Sequence, residues 1–148
     1  MTQINAVLSF SVERGPAPES ARILTPVING VPLTKLVAEF EARRGFEPAG
    51  AYDGILPDHF NYGPLEQYFR GETDDRFWAP GVWVLACQCG EAGCWPLQCK
   101  IRTCSQHVIW EGFEQPFRHK WDYSGFGPFT FALGQYEEAL EELQSMLA

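Results

Sequence analysis

The sequence predicts an α+β fold: an antiparallel sheet of about five or six strands with two helices packed on one face. Apolar residues alternate at period two near the start, three strand-like runs follow one another between residues 82 and 113, and two segments have helical periodicity. The chain has 148 residues, of which 45% are hydrophobic, so it can bury a core of ordinary size. We therefore expect residues 1–148 to form a single domain.

The first strand is predicted over residues 4–13, because apolar side chains occupy every second position there. A second strand, 23–28, leads into Asn29-Gly30 and a further apolar run at 31–33. Asn-Gly between apolar residues favours a type I′ hairpin, since both turn positions need a positive φ. We therefore expect a tight hairpin at this dipeptide.

Two helices are predicted from apolar residues at helical spacing. The first begins near Leu33 and ends before Gly45, with Glu41 among the charged side chains that face outward. The second covers the carboxy-terminal segment, where residues 136–147 hold an apolar stripe and glutamates lie on the opposite face. The segment 46–80 between them is predicted to be mostly irregular, because glycine and proline are frequent there.

The second half of the chain supplies most of the predicted sheet. Strands are expected at 82–87, 96–103 and 108–113, with a short one at 129–131. Residues 115–128, which join the last two, are rich in rings and charges, and we call them the aromatic loop. A loop of this composition is either a binding surface or a packed cover for the end of the sheet.

The charge composition argues against several classes of partner. The formal net charge is −8, and no Lys or Arg follows Lys120. Because the sequence has no basic stripe, neither nucleic acid nor an anionic membrane surface is an expected partner. No apolar run approaches a membrane-spanning length, and the first residues lack the pattern of a signal peptide. We therefore expect a cytoplasmic protein whose cysteines are reduced.

Three cysteines cluster in the turn that follows the strand at 82–87. If Cys89 opposes Cys94, side-chain alternation places Cys87 on the same face, whereas Cys99 falls beside Val84 on the other face. Thiolates are ligands for zinc, which is the candidate cofactor here. The spacing departs from the paired cysteines of structural zinc sites, so a Cys89–Cys94 disulfide and simple burial of the thiols stay open. The candidate metal ligands are Cys87, Cys89 and Cys94.

The aromatic loop is the candidate ligand-binding site. It brings rings, a guanidinium and a carboxylate into close succession, a mixture that suits an anionic or aromatic ligand. In the alternative interpretation the loop has a structural role: Arg118 pairs with Asp122, and the rings cover the end of the sheet. The candidate ligand-binding residues, which include two tryptophans from the neighbouring strands, are Trp95, Trp110, Arg118, His119, Trp121, Asp122 and Tyr123.

Several segments of the second half form a distinctive pattern. They are C-x-C-G-x-x-G-C-W-P-L at 87–97, V-x-W-x-x-F-x-Q-P-x-R at 108–118, W-D-Y-S at 121–124 and G-P-F-x-F at 127–131. Together they resemble a group of small uncharacterised bacterial proteins, over roughly the carboxy-terminal half of the chain. The resemblance implies a free-standing domain of the bacterial cytoplasm, and it carries no catalytic residue or activity with it.

Three function classes follow from these candidates. We favour a non-catalytic binding or interaction protein that uses the acidic surface and the aromatic loop, with another protein as the candidate partner. The second class is a small zinc-binding protein that uses the cysteine turn. The third is an enzyme built on a cysteine–histidine pair or on the aromatic loop. The chain lacks a G-x-x-x-x-G-K-S/T loop, an H-E-x-x-H pair and a G-x-S-x-G elbow, which lowers the expectation of catalysis.

Overall fold

Strands outnumber helices in the computed structural model, which describes residues 3–14, 21–59, 64–71, 81–87 and 95–148. Within these residues the fold is α+β, as predicted. The strands are β1 (Gln3–Ala6), β2 (Leu8–Arg14), β3 (Arg22–Ile28), β4 (Val31–Pro32), β5 (Tyr52–Asp53), β6 (Val82–Cys87), β7 (Leu97–Cys104), β8 (His107–Glu114) and β9 (Phe129–Ala132). The helices are α1 (Leu33–Arg44), α2 (Leu65–Tyr68) and α3 (Leu133–Leu147), with a 3-10 turn at Pro57–His59.

The main sheet has six strands in the order β1-β9-β8-β7-β6-β5. It is antiparallel except at one edge, where β1 runs parallel to β9. The strands β2, β3 and β4 form a second sheet of three strands, which was not expected from the sequence. One continuous cluster of buried apolar side chains joins the sheets and helices. The main sheet therefore has the strand number that we predicted, and the chain divides its strands between two sheets.

The two predicted helices are α1 and α3, and the short α2 lies between them in the chain. Helix α1 packs against β3 and β4, whereas α3 packs against β2, β8 and β9. Helix α1 ends where predicted, at Gly45, whose left-handed φ of 72° closes the last turn. No helix in the described part of the chain is long and apolar enough to cross a membrane.

The single strand predicted over residues 4–13 is two strands in different sheets. Asn5 adopts a left-handed φ of 59°, a conformation that asparagine tolerates better than most residues. The chain leaves β9 after Ala6 and pairs with β3 from Leu8 onward, and Ala6, Leu8 and Phe10 stay buried throughout. Both strands face the same core, so the period-two pattern continues across the break and does not reveal it. The predicted hairpin is confirmed, with φ of 53° at Asn29 and 80° at Gly30.

The predicted register between β6 and β7 is wrong. Cys99 pairs with Val82 rather than with Val84, and an irregularity lies between Trp83 and Leu85. An irregularity of this kind shifts the partners of every later residue, so a register counted back from a predicted turn fails. The turn itself, residues 88–94 with Cys89 and Cys94, lies outside the described residues.

A bulge in β8 positions the candidate site. Lys100 pairs with Glu111 and Gln98 with Glu114, so β8 has one residue more than β7 between these pairs. Gly112 lies in the bulge with a left-handed φ of 65°. The extra residue lets Trp110 and Phe113, three positions apart, both be buried, while Gly112 and Glu114 are exposed. The bulge therefore opens the outer face of the hairpin beside the aromatic loop.

Candidate ligand-binding cleft

The aromatic loop leaves β8 through a series of tight turns. The backbone N–H of Arg118 donates to the carbonyl oxygen of Gln115 at 2.9 Å, and that of Trp121 donates to Arg118 at 2.9 Å. The backbone N–H of Ser124 donates to Asp122 Oδ1 at 2.8 Å, which is the hydrogen bond of an Asx turn. These hydrogen bonds fix the backbone, so the loop presents its side chains in set positions.

A cleft with a volume of about 520 Å³ lies between this loop and the β7–β8 hairpin. One wall comes from the hairpin at the Gly112 bulge, and the other comes from the loop. The cleft is lined by Lys100, Gly112, Phe113, Glu114, His119, Trp121, Asp122, Tyr123 and Ser124. Four of the seven ligand-binding residues predicted from the sequence are therefore brought together here, namely His119, Trp121, Asp122 and Tyr123.

Two more of the predicted residues lie beside the cleft. The Arg118 guanidinium carbon is 4.5 Å from the centre of the Trp95 ring, a cation–π contact. Trp95 in turn meets Trp121 edge to face, with ring centres 5.6 Å apart. Arg118 also donates to the carbonyl oxygen of Phe117 at 3.0 Å. The pairing of Arg118 with Asp122, considered in the structural alternative, is not among the ion pairs of the described residues.

Trp110, the seventh predicted residue, does not line the cleft. It is fully buried and contacts Phe69, Phe131 and Tyr136 through their rings. Its Nε1–H donates to the Tyr136 hydroxyl at 3.0 Å. Trp110 lies on β8, the strand that leads into the aromatic loop, and was therefore expected near the loop. Its side chain belongs to the core instead.

Rings from α1 and the segment after it support the loop from beneath. Trp121 stacks on Phe46, with ring centres 4.7 Å apart and an interplanar angle of 11°. Phe40 stacks on Tyr123 with ring centres 5.7 Å apart. Such contacts add to the stabilisation from apolar burial and restrict the ring orientations. The half-buried Trp121 therefore offers a firmly held apolar surface to the cleft.

Glu41 is the residue that sequence reasoning placed wrongly. It was expected on the outward face of α1, yet its exposed fraction is 0%. The backbone N–H of Gly50 donates to Oε1 at 2.8 Å, and the Tyr123 hydroxyl donates to Oε2. The Tyr52 hydroxyl oxygen lies 3.1 Å from that of Tyr123. The available signal was that position 41 follows Val37 by four residues, which places it beside the buried stripe of the helix.

The burial of Glu41 affects the ionisation of this cluster. Desolvation raises the pKa of the Glu41 carboxyl above its ordinary value of 4.5, while the hydrogen bonds from Gly50 and Tyr123 act in the opposite direction. Burial also raises the pKa values of the Tyr52 and Tyr123 hydroxyls. The two tyrosines therefore stay protonated and serve as hydrogen-bond donors. The loop residue Tyr123 is anchored to α1 through a buried carboxyl.

Two buried nitrogens near the cleft have no hydrogen-bond partner among the described residues. They are Nε1 of Trp95 and Nε2 of Gln115, the residue at which the loop begins. Buried donors without a partner are uncommon and each costs about 1–3 kcal/mol. The base of the loop therefore has unused hydrogen-bonding capacity.

The rim of the cleft carries charges of both signs. Lys100 and Glu114 come from the hairpin, and His119 and Asp122 come from the loop; all four side chains are exposed. The hydrogen bond from the Ser124 backbone lowers the pKa of Asp122, so this carboxyl is ionised at neutral pH. A rim of this kind suits recognition of polar or charged groups, and the ring of Trp121 adds an apolar surface.

The cysteines in the described residues lie in three different environments. Cys99 is fully buried, and this burial raises the pKa of its thiol well above the ordinary value. Cys87 is half-buried, and Cys104 is exposed. Cys104 pairs with His107 across the β7–β8 turn, at the end of the hairpin away from the cleft. The hypothesis of an enzyme with a cysteine–histidine pair stays a prediction.

A zinc site at the cysteine turn also stays a prediction, since only Cys87 of its three proposed ligands is described. Within the described ranges, no group of three or more His, Cys, Asp or Glu side chains is arranged to hold a metal ion. The structure therefore supplies no observation that favours the zinc class over the others.

Comparison with known proteins does not assign the chain to a family. No protein-family model, no curated protein and no solved structure matches it. The resemblance to a group of small bacterial proteins stays a prediction, and any function must be argued from the cleft itself.

Proposed function

We propose that the chain is a non-catalytic binding protein and that the cleft beneath the aromatic loop is its binding site. The observation that carries this proposal is the convergence of His119, Trp121 and Asp122 from the loop with Lys100 and Glu114 from the hairpin around one cleft of about 520 Å³. Small-molecule and peptide sites typically have volumes of about 300–1,000 Å³ and combine apolar surface with a few polar groups.

The support beneath the loop strengthens the proposal. Trp121 rests on Phe46, and Tyr123 is hydrogen-bonded to the buried Glu41. A site whose walls are fixed before binding loses less conformational entropy when the ligand arrives. Binding is therefore favoured by this arrangement even though the cleft is shallow.

The arrangement of the helices is part of the same proposal. We propose that α3, which packs against β8 and β9, and α1, which packs against the second sheet, lie on the same side of the main sheet and leave the opposite face of the β7–β8 hairpin to the ligand. Lys100 and Glu114 are exposed on β7 and β8, between residues whose side chains are buried. In this arrangement the cleft accepts a small molecule, or the side chain or terminus of a protein partner in the bacterial cytoplasm.

The proposal is tested with the full-length chain labelled with ¹⁵N and a panel of amino acids, dipeptides, nucleotides, sugars and organic acids. We expect at least one compound to shift the amide signals of residues 119–124 and the indole signal of Trp121 in a saturable way. The Trp121→Ala variant should bind that compound about tenfold more weakly, because the ring supplies most of the apolar surface of the cleft.

The matched control is Phe117→Ala, which removes an exposed ring from the same loop without changing the lining of the cleft. This variant should bind as the wild type does. A panel in which no compound perturbs the cleft signals, or equal losses in the two variants, would contradict the proposed site.

A further inference from the structure

The charges on the hairpin wall are arranged in an unusual way. Lys100 lies between two carboxylates, since Glu111 is its cross-strand partner and Glu114 follows at the bulge. Each carboxylate is engaged elsewhere: Arg102 pairs with Glu111, and Gln98 Nε2–H donates to Glu114. Lys100 therefore forms no ion pair with any described residue, although two acidic neighbours are close in the sheet.

The position of the Lys100 stem is also defined. A Cβ atom built at Gly112 would lie 3.8 Å from Lys100 Cδ. The lysine stem therefore lies over the bulge, at a position where glycine carries only a hydrogen atom. A lysine stem held against backbone keeps its ammonium group at the rim and loses less freedom when it binds an anion. Lys100 is thus a positioned cation without a partner among the described residues.

The loop wall provides the opposite charge. Asp122 Oδ1 accepts the hydrogen bond from the Ser124 backbone, which orients the carboxylate and keeps it ionised. Asp122 forms no ion pair with any residue in the described part of the chain, although the Arg44 guanidinium is close enough to contribute to its lowered pKa. The Lys100 ammonium therefore lies on one wall of the cleft and the Asp122 carboxylate on the other, and the two do not pair with each other. The second carboxylate of the hairpin wall, Glu114, accepts a hydrogen bond from Gln98.

From this arrangement we infer that the ligand of the cleft is a small zwitterion, which carries both an ammonium and a carboxylate, as a free amino acid or a dipeptide does. The ligand carboxylate binds the Lys100 ammonium, and the ligand ammonium binds the Asp122 carboxylate. The ring of Trp121 contacts the apolar part of the ligand between them. A ligand with one charge satisfies one wall and leaves the other charge exposed to the cleft without a partner. This inference rests on the proposed function and narrows its ligand class.

The test deletes charges from both the ligand and the protein. The probes are phenylalanine and Gly-Phe, each in the free, N-acetylated, C-amidated and doubly blocked form, titrated into the full-length chain and followed by NMR. In the wild type, blocking either charge should weaken binding about three- to tenfold, the range expected for an exposed charge-assisted contact.

The protein variants assign each charge to its partner. Lys100→Met keeps an apolar stem over Gly112 and removes the charge. This variant should therefore bind the free-acid form and the C-amidated form of each probe with equal affinity. Asp122→Asn keeps an acceptor for the Ser124 backbone, and it should no longer distinguish the free amine from the N-acetyl form. Lys120→Met is the matched control, because it removes a charge from the same loop without changing the lining of the cleft. It should keep the full selectivity of the wild type.

Equal binding of free and blocked forms by the wild type would overturn the inference, and so would selectivity that the two cleft variants leave intact. Failure of all these probes to bind would overturn it as well. None of these results decides the proposed function, which the wider panel tests with nucleotides, sugars and organic acids. A cleft that binds only compounds with one charge would keep the proposed function and exclude the zwitterion.

Discussion

Two clusters of aromatic rings in this protein each contain a tyrosine whose hydroxyl donates a hydrogen bond, but the acceptors differ in kind. In the closed cluster, defined by Phe69, Trp110, Phe131 and Tyr136, the indole of Trp110 donates to Tyr136, which donates to the backbone carbonyl of Phe69. In the open cluster, defined by Glu41, Phe46, Trp121 and Tyr123, the hydroxyl of Tyr123 donates to a carboxyl. The first chain of hydrogen bonds ends on a neutral group and the second on an ionisable one.

This difference distinguishes the closed cluster, which belongs to the core, from the open cluster, which borders a candidate binding site. The rings of the closed cluster are almost entirely buried, and their N–H and O–H groups have partners within the cluster. The open cluster borders a cleft with charges on its rim, and it lies beside the indole nitrogen of Trp95, which has no partner in the described part of the chain. Both clusters are rich in rings, so the presence of rings alone does not indicate a binding function. The distinguishing feature is the presence of ionisable side chains at the edge of the open cluster.

The largest expected effect separates the clusters by stability. Replacing the buried Trp110→Ala should lower the free energy of unfolding by about 3–5 kcal/mol, because it leaves a large cavity in the core. Replacing the half-buried Trp121→Ala should cost only about 1–2 kcal/mol, because part of its ring already faces solvent. Urea denaturation at neutral pH measures both.

Trp110→Phe is included in case the alanine variant does not fold, since it keeps a ring and removes only the indole and its donor. Equal losses for Trp110→Ala and Trp121→Ala would mean that the loop is as much a part of the core as β8. The contrast between a closed and an open cluster would then fail.

The second effect concerns the carboxyl that anchors the loop. Glu41→Ala should lower the free energy of unfolding by about 2–4 kcal/mol, because the Gly50 N–H and the Tyr123 hydroxyl lose their acceptor in a buried site. Glu41→Gln keeps the shape and one acceptor oxygen, and the Tyr123 hydroxyl can rotate to accept from the new amide N–H, so at neutral pH it should change stability by less than about 1 kcal/mol. Urea denaturation of the pair separates the shape and hydrogen bonds of this side chain from its charge. A glutamine variant as unstable as the alanine variant would show that the negative charge is required.

The sequence predicted the features that depend on local patterns. The α+β class, the Asn29-Gly30 hairpin and the end of α1 at Gly45 all follow from periodicity or from a positive φ at one or two residues. The change of sheet after Ala6 and the register of Cys99 depend instead on which distant strand pairs with which. Pairing of this kind is set by the whole core and not by neighbours in the chain.

The candidate site divides in the same way. The aromatic loop stood out from its composition, which concentrates rings and charges and is typical of either a binding surface or a packed cover for the end of the sheet. Lys100 and Glu114 were not recognisable, since the β7–β8 register and the bulge at Gly112 bring them to the cleft. Glu41 was missed for a related reason. A carboxylate on a helix is normally solvated, and its burial here depends on the Gly50 N–H and on the hydroxyl of Tyr123, 82 residues away in sequence.

The smallest expected effect is a pH dependence that only the open cluster should show. Because burial raises the pKa of Glu41 above 4.5, the folded chain binds this proton more tightly than the unfolded chain does. The stabilisation is complete below the unfolded pKa and is lost as the pH rises through the folded value. The free energy of unfolding of the wild type, minus that of Glu41→Gln, should therefore decrease with increasing pH above 4.5 and then become constant.

Denaturant titrations of both proteins across this range give the difference directly, and all other titrating groups largely cancel in it. The comparison with the closed cluster supplies the control. The difference between the wild type and Trp110→Phe should not change with pH, because no carboxyl takes part in the Trp110–Tyr136 hydrogen bonds. A difference curve for Glu41→Gln that is flat or rises with pH would mean that the hydrogen bonds from Gly50 and Tyr123 outweigh desolvation. Glu41 would then be an anion that the fold stabilises, and its charge would strengthen the anchoring of the aromatic loop.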